Sequence, residues 1–155
     1  MKKFLLFALT ISLAGCASEP ATKTAPAAPV LKVAHAMAPS SGYVKAGNTV
    51  TFVLDPGNLR AVTDTSAGKM LDLKTLKVTS VSVAGAFNKW DLAANPLALK
   101  GGLWSATVDA AKLGTTPSPF KFVVNGTYWV EPTLGATNTI DNGMGSGAKN
   151  YMFEP

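Results

Sequence analysis

Few side chains in this 155-residue chain are of kinds that do chemistry, and their spacing narrows what that chemistry is. The single cysteine, Cys16, closes Leu13-Ala14-Gly15-Cys16 at the end of an apolar run that begins after Lys2 and Lys3. A basic start, roughly a dozen apolar residues and small residues before one cysteine are the layout of a secretory signal whose cysteine becomes acylated. A membrane-spanning helix would need about 20 apolar residues, and Gly15 and the polar residues after it cut the run short. With the cysteine committed to lipid, neither a disulfide nor a Cys-x-x-Cys metal or redox site is expected. His35 is the only histidine and has no ligand pattern around it, so no metal or general-base role is expected of it. The carboxylates Asp55, Asp64, Asp72, Asp91, Asp109, Glu131, Asp141 and Glu154 show no motif of a glycosidase pair, and no nucleophile has an evident base. A non-catalytic chain without cofactors follows. What remains is surface chemistry carried by aromatic rings, a few polar side chains and one lipidation site.

The elements that must position those residues are read outward from Cys16. Residues 1–15 form the signal. Residues 16–29 carry the lipidated cysteine and an alanine- and proline-rich tether without apolar periodicity. Ala17 stands where, by resemblance to the sorting rule of Gram-negative lipoproteins, an aspartate would retain the protein at the inner membrane. A lipid-anchored protein of the bacterial envelope, at the outer membrane, is therefore expected. Residues 30–47 give no single reading: Val30-Leu31-Lys32-Val33 suits an edge strand and Pro39-Ser40-Ser41-Gly42 a turn. What is left after the signal suffices for one domain. The formal charge of +5 falls by two when Lys2 and Lys3 leave, the lysines are scattered, and Arg60 is the only arginine. That distribution lacks the concentrated basic patch that a nucleic acid backbone demands.

From residue 48 onward, short β-type runs separated by Gly, Pro and Asn predict an all-β sandwich. The expected strands are 49–54, 77–84, 103–108, 120–124, 127–130 and 150–153. Between the first two lies a long connection, 55–76, in which Lys69-Met70-Leu71-Asp72-Leu73-Lys74 reads equally as a helical turn or an extra strand. The sharpest local signal is Asn125-Gly126 between two β runs, since both residues of a type I′ turn need positive φ. A two-residue loop pairs Val124 with Thr127, Val123 with Tyr128 and Phe122 with Trp129. Alternation then puts Phe120, Phe122, Val124 and Trp129 in the core and Lys121, Val123 and Tyr128 outside, and a slip of one residue would exchange Tyr128 and Trp129. Trp104, alternating with Ser105 and Thr107, is assigned to the core.

Several motifs, in order, carry a family resemblance: Val81-Ser82-Val83-Ala84-Gly85-Ala86-Phe87-Asn88-Lys89-Trp90, then Gly102-Leu103-Trp104, then Phe120-Lys121-Phe122-Val123-Val124-Asn125-Gly126, then Glu131-Pro132 and Asn150. Together they resemble the glycogen-binding domain of AMP-activated protein kinase β subunits and the N-terminal module of isoamylases, carbohydrate-binding module family forty-eight. The resemblance spans residues 48–153 and implies an early-set immunoglobulin-like β-sandwich. It also implies α-glucan binding by stacking of glucose rings on two tryptophans, the second of which is here replaced by a tyrosine, with polar contacts from a lysine and an asparagine. Matched residue by residue, these are Trp90, Tyr128, Lys121 and Asn150. The pattern is departed from near Gly147, where small residues such as Ser146 and Ala148 replace sugar-contacting ones. Isoamylase-type enzymes carry their chemistry on a following barrel, so a free-standing, non-catalytic module ending at Pro155 is expected.

Plainer roles compete for the same residues. A loop tryptophan at position 90 could cap the sandwich, Tyr128 could be an ordinary cross-strand aromatic, Lys121 a solvated strand lysine and Asn150 a ladder residue. Phe87 is expected to fill the core and Asn88 to brace its loop through side-chain to backbone hydrogen bonds. Two functions follow: a lipid-anchored module binding an α-glucan or another glycan at the envelope, or an interaction module that keeps the sandwich and contacts an envelope protein or peptidoglycan.

Overall fold

The computed structural model describes residues 38–64, 69–145 and 147–155. Cys16, the signal, the tether, His35 and the strand expected at 30–33 lie outside the described residues, as does Ser146. The described chain is an all-β sandwich. Its helical pieces are short 3-10 turns at Pro56–Asn58, Ala86–Asn88 and Ala110–Leu113.

One sheet holds four strands: β1 (Tyr43–Ala46), β2 (Thr49–Leu54), β6 (Ala98–Lys100) and β7 (Leu103–Asp109), ordered β1-β2-β7-β6. The other holds seven: β3 (Arg60–Asp64), β4 (Lys69–Asp72), β5 (Val81–Gly85), β8 (Ser118–Val124), β9 (Tyr128–Val130), β10 (Thr139–Asp141) and β11 (Lys149–Phe153). Its central strand is β8. β5 runs along one edge of β8, while β11 and β9 share the other, β11 beside residues 118–120 and β9 beside residues 122–124. That arrangement leaves Lys121 at the fork where β9 and β11 part.

Alternation builds the core. Val50, Phe52 and Leu54 of β2 point inward, and Thr49, Thr51 and Val53 point away; Thr51 and Thr107 join their hydroxyls across β2 and β7 at 2.9 Å. From the facing sheet come Phe120, Phe122 and Val124, together with Tyr151 and Phe153. The Phe120 ring lies 5.1 Å from Phe52 edge-on and 5.2 Å from Tyr151 in a stack, so aromatic packing joins the two layers. Trp104 is buried in this core, as its alternation with Ser105 and Thr107 requires.

Several elements differ from the sequence expectation. The 55–76 connection contains the β3–β4 hairpin, and the ambiguous 69–74 stretch resolves as strand β4 at its start. The strand expected at 77–84 begins only at Val81, because residues 77–80 are held by Asn125 instead of by a strand. The Asn125 side-chain oxygen accepts from the backbone N–H of Thr79 and Ser80, and its amide donates to the Lys77 carbonyl. The strands β1, β6 and β10 are short edge or near-edge pieces whose polar, glycine-flanked sequences give weak β patterns.

Candidate functional site

The hairpin between β8 and β9 decides which aromatic side chain faces out. Its turn residues Asn125 and Gly126 do take positive φ, at 51° and 67°. The Thr127 N–H closes the turn on the Val124 carbonyl at 3.1 Å, but Thr127 itself stays out of the ladder, which resumes at Tyr128. Val124 therefore pairs with Tyr128, Val123 with Trp129 and Phe122 with Val130. The two-residue pairing expected from sequence is overturned by one position, and with a side-chain period of two the faces exchange. Tyr128 turns inward and packs against the core; Trp129 faces outward. The assignments of Trp129 to the core and Tyr128 to the outer face are corrected accordingly.

Trp129 meets Trp90 on that outer face. Their ring centroids are 6.1 Å apart with the planes tilted by 56°, and both side chains are half-buried. Trp90 reaches this position from a tightly built loop. Gly85 ends β5, and a Cβ there would lie 2.7 Å from the Pro119 carbonyl and 2.8 Å from the Phe120 Cβ, so only glycine permits the close approach. Phe87, the next ring, turns inward and stacks 5.8 Å from Phe52. Asn88 accepts from the Gly85 N–H at 2.9 Å and donates to the Val83 carbonyl and the Asn95 side chain. Lys89 and Trp90 both adopt left-handed backbone, φ 56° and 62°, which for non-glycine residues costs about 1 to 2 kcal/mol each. The Trp90 N–H returns to the Gly85 carbonyl at 2.9 Å and locks the turn. The roles read from sequence for Phe87 as core filler and Asn88 as loop brace are both observed.

Lys121 lies on the outer face but does not stand in solvent. It is 4 % exposed, and its ammonium pairs with the Glu131 carboxylate, which is also buried. The other Glu131 oxygen accepts the Lys149 backbone N–H at 2.8 Å, so the pair closes the fork between β9 and β11. Asn150, 8 % exposed, follows Lys149 on β11, and continuing the β11–β8 register places it opposite Lys121. The outer face thus reads, along β8, from Val123 beside Trp129 to Lys121 between Glu131 and Asn150. Val123 is fully buried although it points away from the core, which shows how closely this face is covered.

Beyond Glu131 the face dips into a groove of about 340 Å³ lined by Arg60, Glu131, Thr133, Thr139, Gly147 and Lys149, among others. Arg60 is the neighbour of Glu131 across β9 and β3: the Glu131 N–H donates to the Arg60 carbonyl at 2.8 Å. Under the groove floor, the Tyr151 hydroxyl accepts the Thr133 N–H at 2.9 Å. Burial pushes this phenol above its ordinary pKa, opposed in part by the Thr133 bond. Asp72, opposite Arg60 on β4, is held below the ordinary carboxylate range chiefly by the Lys74 N–H.

Of the residues singled out from sequence, Trp90, Lys121 and Asn150 come to one face, and Tyr128 does not join them. Trp129, Glu131 and Arg60 belong to that face as well, and Lys149 meets it through its backbone N–H. The sequence signal for Trp129 was the alternative register of the Asn-Gly hairpin; Arg60 and Lys149 carried no motif. Among the described residues no group of three or more histidine, cysteine, aspartate or glutamate side chains could hold a metal, and no helix is long and apolar enough to cross a membrane. No protein-family model matches the chain, and no curated protein matches it.

Proposed function

We propose that the outer face of the seven-stranded sheet is a saccharide-binding face and that the protein is a non-catalytic glycan-binding module, lipid-anchored through Cys16 at the bacterial envelope. The observation that carries this reading is the Trp90–Trp129 pair: two half-exposed indoles from distant parts of the chain meet at 6.1 Å outside the core. One of them is held by a strained, heavily hydrogen-bonded turn. Strain of this kind persists only where surrounding structure enforces it, and it concentrates at functional sites. Indole faces suit the apolar faces of pyranose rings, and Asn150 supplies an amide at the margin.

The resemblance of the motifs to family forty-eight modules makes an α-1,4-glucan the first ligand to test and an early-set immunoglobulin-like topology the matching fold subtype. Two tryptophans on the platform fit that resemblance more closely than the tryptophan and tyrosine read from sequence. Lys121 has a different part in this reading: paired with Glu131, it holds the floor beside the platform and offers little to a sugar directly.

Stacking one ring buries roughly 100 Å² of apolar surface, or about 2.5 kcal/mol at 25 cal/mol per Å². Two rings minus association costs predict dissociation constants between about 10 µM and 1 mM. Calorimetry with maltoheptaose should give heat in that range, and Trp90→Ala should abolish it. Folded protein that gives no heat at millimolar sugar would favour the second reading, an interaction module for an envelope protein or peptidoglycan. That alternative draws on Leu134 and Met144, which are 85 % and 65 % exposed.

A further inference from the structure

Two features of one corner of the sandwich have no part in the saccharide reading. The first is the point where the tether enters. Residues 39–42 form a turn closed by the Gly42 N–H on the Pro39 carbonyl at 2.9 Å. The Ser40 and Ser41 carbonyls of that turn accept from the Thr133 hydroxyl, at 3.4 Å, and from the Asn138 amide, at 3.1 Å. The entering chain is thus tied to both ends of the loop between β9 and β10.

The second feature is what that loop presents. Thr133 to Ala136 make a tight turn, closed by the Ala136 N–H on the Thr133 carbonyl at 3.1 Å, with Gly135 at φ 89°. Leu134 at its tip is 85 % exposed, the most exposed large apolar side chain among the described residues. The turn is braced from below, since the Thr133 N–H donates to the hydroxyl of the buried Tyr151. Leu134 is therefore held outward on a fixed support. Gly147, from the loop joining β10 and β11, lines the same groove as Leu134, and that loop carries Met144, 65 % exposed. Neither 132–140 nor 142–148 contains a charged residue. The charges bordering them have partners: Glu131 binds Lys121 and the Lys149 N–H, Asp141 stands opposite Lys149, and Arg60 opposite Asp72. Apolar tips on uncharged loops enter a lipid interface without carrying a charge in with them.

We infer that this corner is a membrane contact: Leu134, with Met144 on the neighbouring loop, inserts into the lipid interface beside the tether. This rests on the lipoprotein reading of Cys16 and is independent of the saccharide reading. With Cys16 acylated, residues 17–39 keep the sandwich within about 80 Å of the bilayer even at full extension, so the second contact is intramolecular and a weak one suffices. Among the described residues, the corner where the tether enters is the one nearest Cys16 along the chain. Two side chains fall far short of the roughly 800 Å² per partner of a stable protein interface. They suffice to orient a module that its acyl chains already attach. Trp129 precedes Leu134 by five residues, so docking holds the platform within about 18 Å of the interface.

The test uses the full-length acylated protein in nanodiscs of phosphatidylethanolamine and phosphatidylglycerol, with intact mass reporting the lipid on Cys16. Acylation leaves no native thiol, so a nitroxide is placed on Thr137→Cys, in the loop that carries Leu134, or on Lys100→Cys, at the far edge of the four-stranded sheet. Power-saturation EPR should show access of a water-soluble nickel complex several-fold lower at position 137 than at position 100, at low and high salt alike. Leu134→Ser/Met144→Ser should raise access at 137 to the level at 100 and leave the melting temperature unchanged, because both side chains are exposed. Equal access at the two positions in the acylated protein overturns the inference, as does protection that survives the double variant or that appears only when an envelope protein extract is added. Protection lost at high salt overturns the apolar basis of the contact. A protein without lipid on Cys16 overturns the lipoprotein reading and this inference with it.

Discussion

Trp90 and Gly85 show how much local structure one exposed ring requires. The tryptophan sits at φ 62° behind a lysine at φ 56°, and the turn holds because Asn88 ties Gly85, Val83 and Asn95 together while Phe87 anchors it in the core. Gly85 is the least replaceable member, since its missing Cβ leaves room for the Pro119 carbonyl and the Phe120 side chain. Gly85→Ala should therefore destabilise the fold by about 1 to 3 kcal/mol, the range of overpacked core positions. Chemical denaturation checks the value; an unchanged midpoint would mean that the turn relaxes freely and does not fix Trp90.

At the scale of elements, the fork of β9 and β11 is closed by a charge pair in place of a continuous ladder. Lys121 and Glu131 are both buried, and removing one leaves the other charged without its partner. Glu131→Ala should cost about 3 to 5 kcal/mol, while the paired replacement Lys121→Met/Glu131→Leu should recover most of that loss. Thermal melts of the two variants separate these outcomes, and equal melting of both would contradict a structural role for the pair. The same region shows what sequence could and could not convey. β2, β7 and β8 were legible because strong alternation of large apolar and polar residues leaves one face to bury. The Gly85 to Trp90 turn was legible through its motif, and Phe87 and Asn88 do what their types suggest. The register of the β8–β9 hairpin was not, because Asn125-Gly126 is compatible with either pairing and the bond from the Thr127 N–H to the Val124 carbonyl closes the turn in both. The groove was not legible either: Arg60 lies within a stretch that reads as a long connection, and the other lining residues, among them Glu131, Thr139 and Lys149, are spread over segments distant from it in sequence. The strands β1, β4, β6 and β10 depend on partners distant in sequence more than on their own propensity.

For the whole molecule, one sheet face is spent on the core and the opposite face of the larger sheet carries the tryptophans and the closed charge pair, with the groove beside them. An anchored module needs its binding face free, which the sequence reading provides through a tether between Cys16 and the sandwich. Cys16→Ser should abolish lipid labelling and leave unprocessed precursor; processing and membrane retention that both persist would contradict the lipoprotein reading. The central claim is that Trp129, and not Tyr128, forms the saccharide platform with Trp90. The most direct measurement is a maltoheptaose titration of Trp129→Ala and Tyr128→Ala beside the wild type, with melting curves for each. Trp129→Ala should lose binding and keep its melting temperature within a few degrees, whereas Tyr128→Ala should keep binding and melt lower by an amount set by its packing against the core. Retained binding in Trp129→Ala together with lost binding in a stable Tyr128→Ala would contradict the account.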